Sequence, residues 1–133
     1  MDITKIGTSK LDTIDFSNLP FGTVFSDHML ICNYKFGKWN DPQIIPYGPL
    51  PIAPGVQVLH YGQSVFEGMK AFKNSFGDIL VFRKDENFKR LNRSAKRLSI
   101  PTIDEDIFMS GLDELLDLDY SWCKHHGGHS LYI

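Results

Sequence analysis

Asn87, Arg90, Ser94 and Arg97 recur at spacings of three and four, which places their side chains along one stripe of an α-helix. Arg90 lies where that stripe meets an apolar face, so its guanidinium can leave the helix edge and still approach the core boundary. Planar donors at such an edge suit a phosphate, because they grip two oxygens at once. A second stretch with chemical content runs from Leu59 to Phe72, Leu-His-Tyr-Gly-Gln-Ser-Val-Phe-Glu-Gly-Met-Lys-Ala-Phe, and punctuates Tyr61 and Phe66 with Gly62 and Gly68. A ring followed by glycine suits a pocket wall, since glycine permits close backbone approach to a ligand. Burial in an ordinary core accounts for the rings equally well. No catalytic constellation stands beside these residues, and none is assigned. Ser64 has no Gly-x-Ser-x-Gly frame, and neither Cys32 nor Cys123 has a histidine at motif spacing. His125, His126 and His129 are interrupted by Gly127-Gly128 and lack a cysteine or carboxylate motif, so no metal site is assigned to them.

The elements that must position Arg90 and the two rings belong to a chain of 133 residues, 42% hydrophobic, which predicts one domain with a real core. The net charge of -2 gives no general pull toward nucleic acid or anionic membranes. No apolar run approaches the length of a membrane span, and Met-Asp-Ile-Thr-Lys-Ile lacks the features of a secretory signal, so a cytoplasmic location is the default. Cys32 and Cys123 form no Cys-x-x-Cys pair and read as reduced thiols.

Residues 1–20 show no sustained period and read as an irregular arm, closed by the Leu19-Pro20 turn signal. The apolar residues between Thr23 and Tyr34, the Lys35-Phe36-Gly37-Lys38 turn and the run from Trp39 to Ile45 predict a strand, a turn and a return strand. Prolines 46, 51 and 54 make 46–55 a surface connection without helix. Leu59 to Phe66 suits a short helical turn. Met69 to Phe72 and Ile79 to Phe82, flanking the turn at Asn74 to Asp78, predict a hairpin. Phe88, Leu91, Ala95 and Leu98 then mark a helix with Asp85 as N-cap and Glu86 placed to pair with Arg90. A second helix is expected from Thr102 or Asp104 to about Leu118, with Phe108, Leu112, Leu115 and Leu116 inward and Gly111 weakening it slightly. The first helix is basic and the second acidic, with seven acids and no base from Asp104 to Asp119. Leu131-Tyr132-Ile133 reads as a strand, and a chain stopping there reads as a piece of something longer. The predicted fold class is α+β, an antiparallel sheet with two flanking helices.

Taken together, Leu59-His60-Tyr61-Gly62, Phe66-Glu67-Gly68, Val81-Phe82-Arg83, Asn87-Phe88-Lys89-Arg90-Leu91-Asn92-Arg93-Ser94-Ala95 and Ser130-Leu131-Tyr132-Ile133 form a specific signature. In order and gaps it resembles the branched-chain amino acid aminotransferases, fold-type IV pyridoxal-phosphate enzymes, from about Phe21 to the last residue. The resemblance implies that 21–133 is the N-terminal small domain of such an enzyme, truncated at its C-terminal end. It implies that Arg90 holds the phosphate of pyridoxal 5'-phosphate. By the same matching, Tyr61 and Phe66 line the pocket for an aliphatic side chain, Gly68 gives that pocket room, and the Tyr132 hydroxyl faces the substrate near its carboxylate. The implied reaction moves an amino group between leucine, isoleucine or valine and 2-oxoglutarate, in a homodimer. Lys70 and the other lysines match no imine-forming position, so the chain alone is expected to be inactive and to expose apolar surface around Tyr61, Phe66 and Tyr132. Two rival readings stand beside this one. The first is another fold-type IV enzyme, a D-amino acid transaminase or an aminodeoxychorismate lyase. The second is a non-catalytic interaction module using the basic stripe.

Overall fold

A computed structural model describes residues 1–125 and 128–133, and these form an α+β arrangement of three helices and three small sheets. Strand β1 (Asp2–Ile3) lies parallel to β5 (Gln43–Pro46), and β2 (His28–Ile31) pairs antiparallel to β5 on its other edge, in the order β1-β5-β2. Between β2 and β5 a two-stranded ribbon, β3 (Tyr34–Lys35) and β4 (Lys38–Trp39), turns at Phe36-Gly37. The single helical turn read near Leu59 is α1 (Gln57–Tyr61), which ends where Gly62 adopts a left-handed φ of 62°. The predicted hairpin is β6 (Lys70–Lys73) with β7 (Ile79–Val81), and β8 (Leu131–Tyr132) pairs antiparallel to the free edge of β6. Helices α2 (Lys84–Arg97) and α3 (Glu105–Leu118) lie between the hairpin and β8 in sequence.

The expected pattern of one antiparallel sheet and two helices is therefore refined to three sheets, one with a parallel pairing, and a third, short helix. The arm at 1–20 is more ordered than its composition suggests. It carries β1 and a 3-10 turn at Leu11–Thr13, and three of its residues hydrogen-bond to buried groups.

Apolar residues alternate on β6 and recur by helical spacing on α3, so the two elements meet in one core. Met69, Ala71, Leu112 and Leu116 are buried there, with Ile79, Val81, Phe108, Leu131 and Ile133 packed around them. Gly111 is not simply a weak point in α3: a β-carbon there would sit 2.6 Å from Leu30 Cδ2, so its absence lets β2 approach the helix. Phe88 and Phe108 join α2 to α3 with ring centroids 5.5 Å apart. Asn92 ties the intervening loop by exchanging two 2.9 Å hydrogen bonds with the Ile103 backbone. The opposite charge of the two helices yields one direct ion pair between them, Lys84 Nζ to Asp113 Oδ1 at 2.5 Å.

A buried polar chain fastens the arm to the core. Asp119, at the end of α3, accepts hydrogen bonds from the His28 backbone N–H (3.0 Å) and from His28 Nδ1 (2.6 Å). His28 Nε2 accepts from the Ile6 N–H at 2.9 Å, which makes Nδ1 the proton-bearing nitrogen. Next to it, Asp27 accepts from Ser9 Oγ, Trp122 Nε1 and the Lys10 N–H. Burial pushes the Asp27 carboxyl up, but these donors outweigh it and hold the group below its ordinary range. Every member is satisfied, as buried polar groups must be if they are not to destabilise the fold.

No helix among the described residues is long and apolar enough to cross a membrane. Among the same residues no group of three or more histidines, cysteines or acids is placed to hold a metal ion. His126, one of the three histidines weighed from the sequence, lies outside the described residues, as does Gly127.

Candidate functional site

Arg90 leaves α2 on the side facing the loop before β6, and its partner there is Glu67. Arg90 Nε donates to Glu67 Oε1 at 2.5 Å and Nη2 donates to Oε2 at 2.7 Å, a two-point grip between planar groups. The two side chains differ sharply in setting: Arg90 is 58% exposed and Glu67 only 8%. Asn87, one turn before Arg90, donates to Glu67 Oε2 (2.8 Å) and to the Gly68 carbonyl (3.2 Å). The Arg90 hydrogen bonds hold the Glu67 carboxyl below its ordinary range, with Asn87 assisting and burial opposing. The same contacts raise Arg90 further into its always-charged range. The sequence expectation that Arg90 pairs with Glu86 is corrected: Glu86 binds Lys89 Nζ at 2.8 Å instead. The cap is corrected as well. Helix α2 starts at Lys84, Arg83 takes the cap position with φ 53°, and Asp85 and Glu86 fall in the first turn.

Beside this pair the surface dips into a depression of about 260 Å³ lined by Phe82, Arg83, Glu86, Asn87, Arg90 and Arg93. Three guanidinium groups against one lining carboxylate give the depression a positive lining of the kind that suits an anion. Glu67 engages two of the five guanidinium N–H groups of Arg90, leaving those on Nη1 and one on Nη2 available.

Gly68 and Tyr132 meet closely. A β-carbon on Gly68 would overlap the Tyr132 hydroxyl and lie 3.0 Å from Cζ, so only glycine leaves that hydroxyl its place. Pairing of Lys70 with Tyr132 in the β6–β8 ladder sets this register. The Tyr132 ring also meets Phe21, with centroids 5.7 Å apart. Tyr61 and Phe66 are not core residues: they are 80% and 83% exposed. The structure thus joins Arg90, Asn87, Glu67, Gly68 and Tyr132 through direct contacts, whereas Tyr61 and Phe66 stand at the surface without a hydrogen bond to that group. Phe66 is nonetheless the chain neighbour of Glu67. Glu67 stands inside the Phe66-Glu67-Gly68 motif, yet the sequence alone assigns it no role. The signal was an acid set in an apolar, glycine-punctuated run opposite a basic helix.

No family model matches the chain. Curated relatives do match it. A probable branched-chain-amino-acid aminotransferase of Staphylococcus aureus (strain MRSA252) is 50% identical over 120 residues, covering 90% of this chain and 33% of the relative. Branched-chain-amino-acid transaminase 1 of Bacillus subtilis (strain 168) is 46% identical over 120 residues, 90% of this chain and 34% of the relative. The branched-chain-amino-acid aminotransferase of Mycolicibacterium smegmatis is 42% identical over 119 residues, 88% of this chain and 32% of the relative. The chain spans about a third of the length of the curated relatives it matches. The resemblance read from the sequence motifs holds over nearly all of the chain.

Proposed function

We propose that this chain is part of a branched-chain amino acid aminotransferase, to which it contributes a phosphate grip and one wall of the substrate cleft. The 50% identity over 120 residues to the Staphylococcus aureus relative carries this reading, and the anion-suited depression at Arg90 supports it. In this reading 21–133 is the small domain of a fold-type IV enzyme, preceded by the arm at 1–20, and the protein works as a homodimer. The free thiols of Cys32 and Cys123 suit a cytoplasmic setting.

The donor set fits the phosphate of pyridoxal 5'-phosphate, because Arg90 keeps unengaged N–H groups beside a depression that Arg83 and Arg93 also line. When bound, the cofactor supplies the electron sink for moving an amino group between a branched-chain amino acid and 2-oxoglutarate. Arg90 holds the phosphate and thereby fixes the position of the whole group. Tyr61 and Phe66 offer their exposed rings to the aliphatic side chain, burying apolar surface on both sides. Gly68 leaves the Tyr132 hydroxyl free to hydrogen-bond near the substrate carboxylate. No lysine of the chain is given the covalent or proton-transfer role.

The test is an assay of the protein containing this chain with leucine, isoleucine or valine and 2-oxoglutarate, reading glutamate. Glutamate forms with all three. Arg90→Ala raises the pyridoxal phosphate concentration for half-maximal rate by about tenfold or more, the loss of a charge-assisted two-point contact. Glutamate formation from D-amino acids alone, or from none of these substrates, overturns the proposal.

A further inference from the structure

We infer that Glu67 is the positioning residue of Arg90: it fixes the plane of the guanidinium so that its unengaged edge meets the anion, and it ties that grip to the substrate wall at Phe66-Gly68. The inference rests on the reading of Arg90 as the phosphate ligand.

The arrangement is built in layers. Glu67 meets the Nε and Nη2 edge of Arg90 with both oxygens, and two parallel hydrogen bonds set a planar group in a way that one cannot. Glu67 cannot swing away, because its own side chain is 8% exposed and Asn87 holds Oε2. The same Asn87 amide reaches the Gly68 carbonyl, and Gly68 in turn lies against the Tyr132 hydroxyl. A displacement of the guanidinium is therefore felt at the backbone between Phe66 and Tyr132. The ion pair also steadies the fold, but a purely structural role does not require the open Nη1–Nη2 edge of Arg90 to face the depression that Arg83 and Arg93 also line. A competitor for the phosphate is a poorer account. Glu67 takes the side edge of the fork and leaves the end edge open. Its charge opposes an anion beyond the guanidinium, but the hydrogen bonds from Arg90 and Asn87 offset that charge locally.

The charge and the position of Glu67 are separable by two substitutions. Glu67→Gln removes the charge and one acceptor. Glu67→Asp keeps the charge but is one methylene too short to span Nε and Nη2 while reaching Asn87. The protein containing this chain, freed of cofactor and labelled with ¹⁵N, is titrated with inorganic phosphate while the Arg90 Nε–H and Gly68 N–H resonances are followed, and dispersion of the remaining amides reports folding. In the parent protein the Arg90 Nε–H is shifted by its hydrogen bond to Glu67, and phosphate moves both resonances. In Glu67→Gln and Glu67→Asp alike, the Nε–H moves toward the position of a free arginine, phosphate binds about fivefold or more weakly, and Gly68 stops responding. Phosphate affinity equal to or tighter than the parent's in folded Glu67→Asp overturns the inference and leaves the role of Arg90 intact. A parent response that survives Arg90→Gln overturns the reading of Arg90 on which the inference rests.

Discussion

Asp119→Ala removes the acceptor on which the buried polar chain depends. The carboxylate is 1% exposed and takes two hydrogen bonds from His28, whose side chain is 5% exposed. Truncation leaves a buried backbone N–H and a buried ring N–H without their acceptor, and each buried unsatisfied donor costs about 1–3 kcal/mol. Water entering the gap recovers part of this, so the net destabilisation is about 3–4 kcal/mol. For a domain of this length that corresponds to a fall in Tm of roughly 10–15 °C. Asp119→Asn keeps one oxygen acceptor and sets an amide N–H against the second donor, which places it at about 1–3 kcal/mol. Urea unfolding followed by the fluorescence of buried Trp122, itself bonded to Asp27 next to His28, measures both. The damage has a defined direction of travel. His28 Nε2 holds the Ile6 N–H, so a released ring also loosens the arm, and hydrogen exchange at Ile6 rises more than at the β6–β8 ladder. Destabilisation by Asp119→Ala of less than about 1 kcal/mol refutes the reasoning, because the two donors would then have found other partners. So does exchange at Ile6 unchanged from the parent.

Two further outcomes follow from the site. The Glu67 carboxyl is held below its ordinary range in the fold, chiefly by hydrogen bonds from Arg90, so its contribution to stability is fully present above its unfolded value and lost as pH falls through the folded one. The gap in unfolding free energy between the parent and Glu67→Gln therefore narrows between pH 6 and pH 3; a gap that stays constant over that range is incompatible with the Arg90 contact. Gly68→Ala pushes a β-carbon into the Tyr132 hydroxyl, and the half-exposed ring yields, giving a stability loss under about 1 kcal/mol. The displaced ring appears as shifted Tyr132 aromatic resonances, and unmoved resonances contradict the close approach.

How much of this was legible in the sequence depends on the distance over which each signal acts. The two long helices are written in local spacing, since Phe88, Leu91 and Ala95, and Phe108, Leu112 and Leu116, each repeat within a turn. The β6–β7 hairpin is equally local, a turn at Asn74 to Gly77 between two β-prone runs. Strand β1 is not, because two residues pair with a segment about forty positions onward and have no period of their own. Gly111 shows the same limit from another side: propensity reads it as a flaw in a helix, whereas its use lies in Leu30 on a different element. The start of α2 misled for a local reason. Asp85 is a good cap residue in isolation, but the chain bends at Arg83, whose carbonyl accepts the Glu86 N–H at 2.9 Å, and the two acids then face the helix N-terminus from within its first turn.

The same contrast decides the site. Helical spacing put Arg90 at the edge of the apolar face, and the spacing rule offered Glu86 as its partner four residues before. The rule failed because Glu86 pairs with Lys89 instead, and exposed helix pairs contribute too little for spacing alone to decide which base an acid takes. Glu67 is in the opposite position. With its side chain almost wholly out of water, it must be met by a cation and further donors to stay ionised, and Arg90 with Asn87 are within reach. The pairing is dictated by the needs of the buried acid, 23 residues away, and not by the geometry of the helix that carries the base. An acid between an exposed ring and a glycine, facing a basic helix, is thus a sequence feature to be matched to a cation before any partner on the helix itself is chosen. Applied here, that ordering leads from Phe66-Glu67-Gly68 to Arg90, and so links the substrate wall to the phosphate grip.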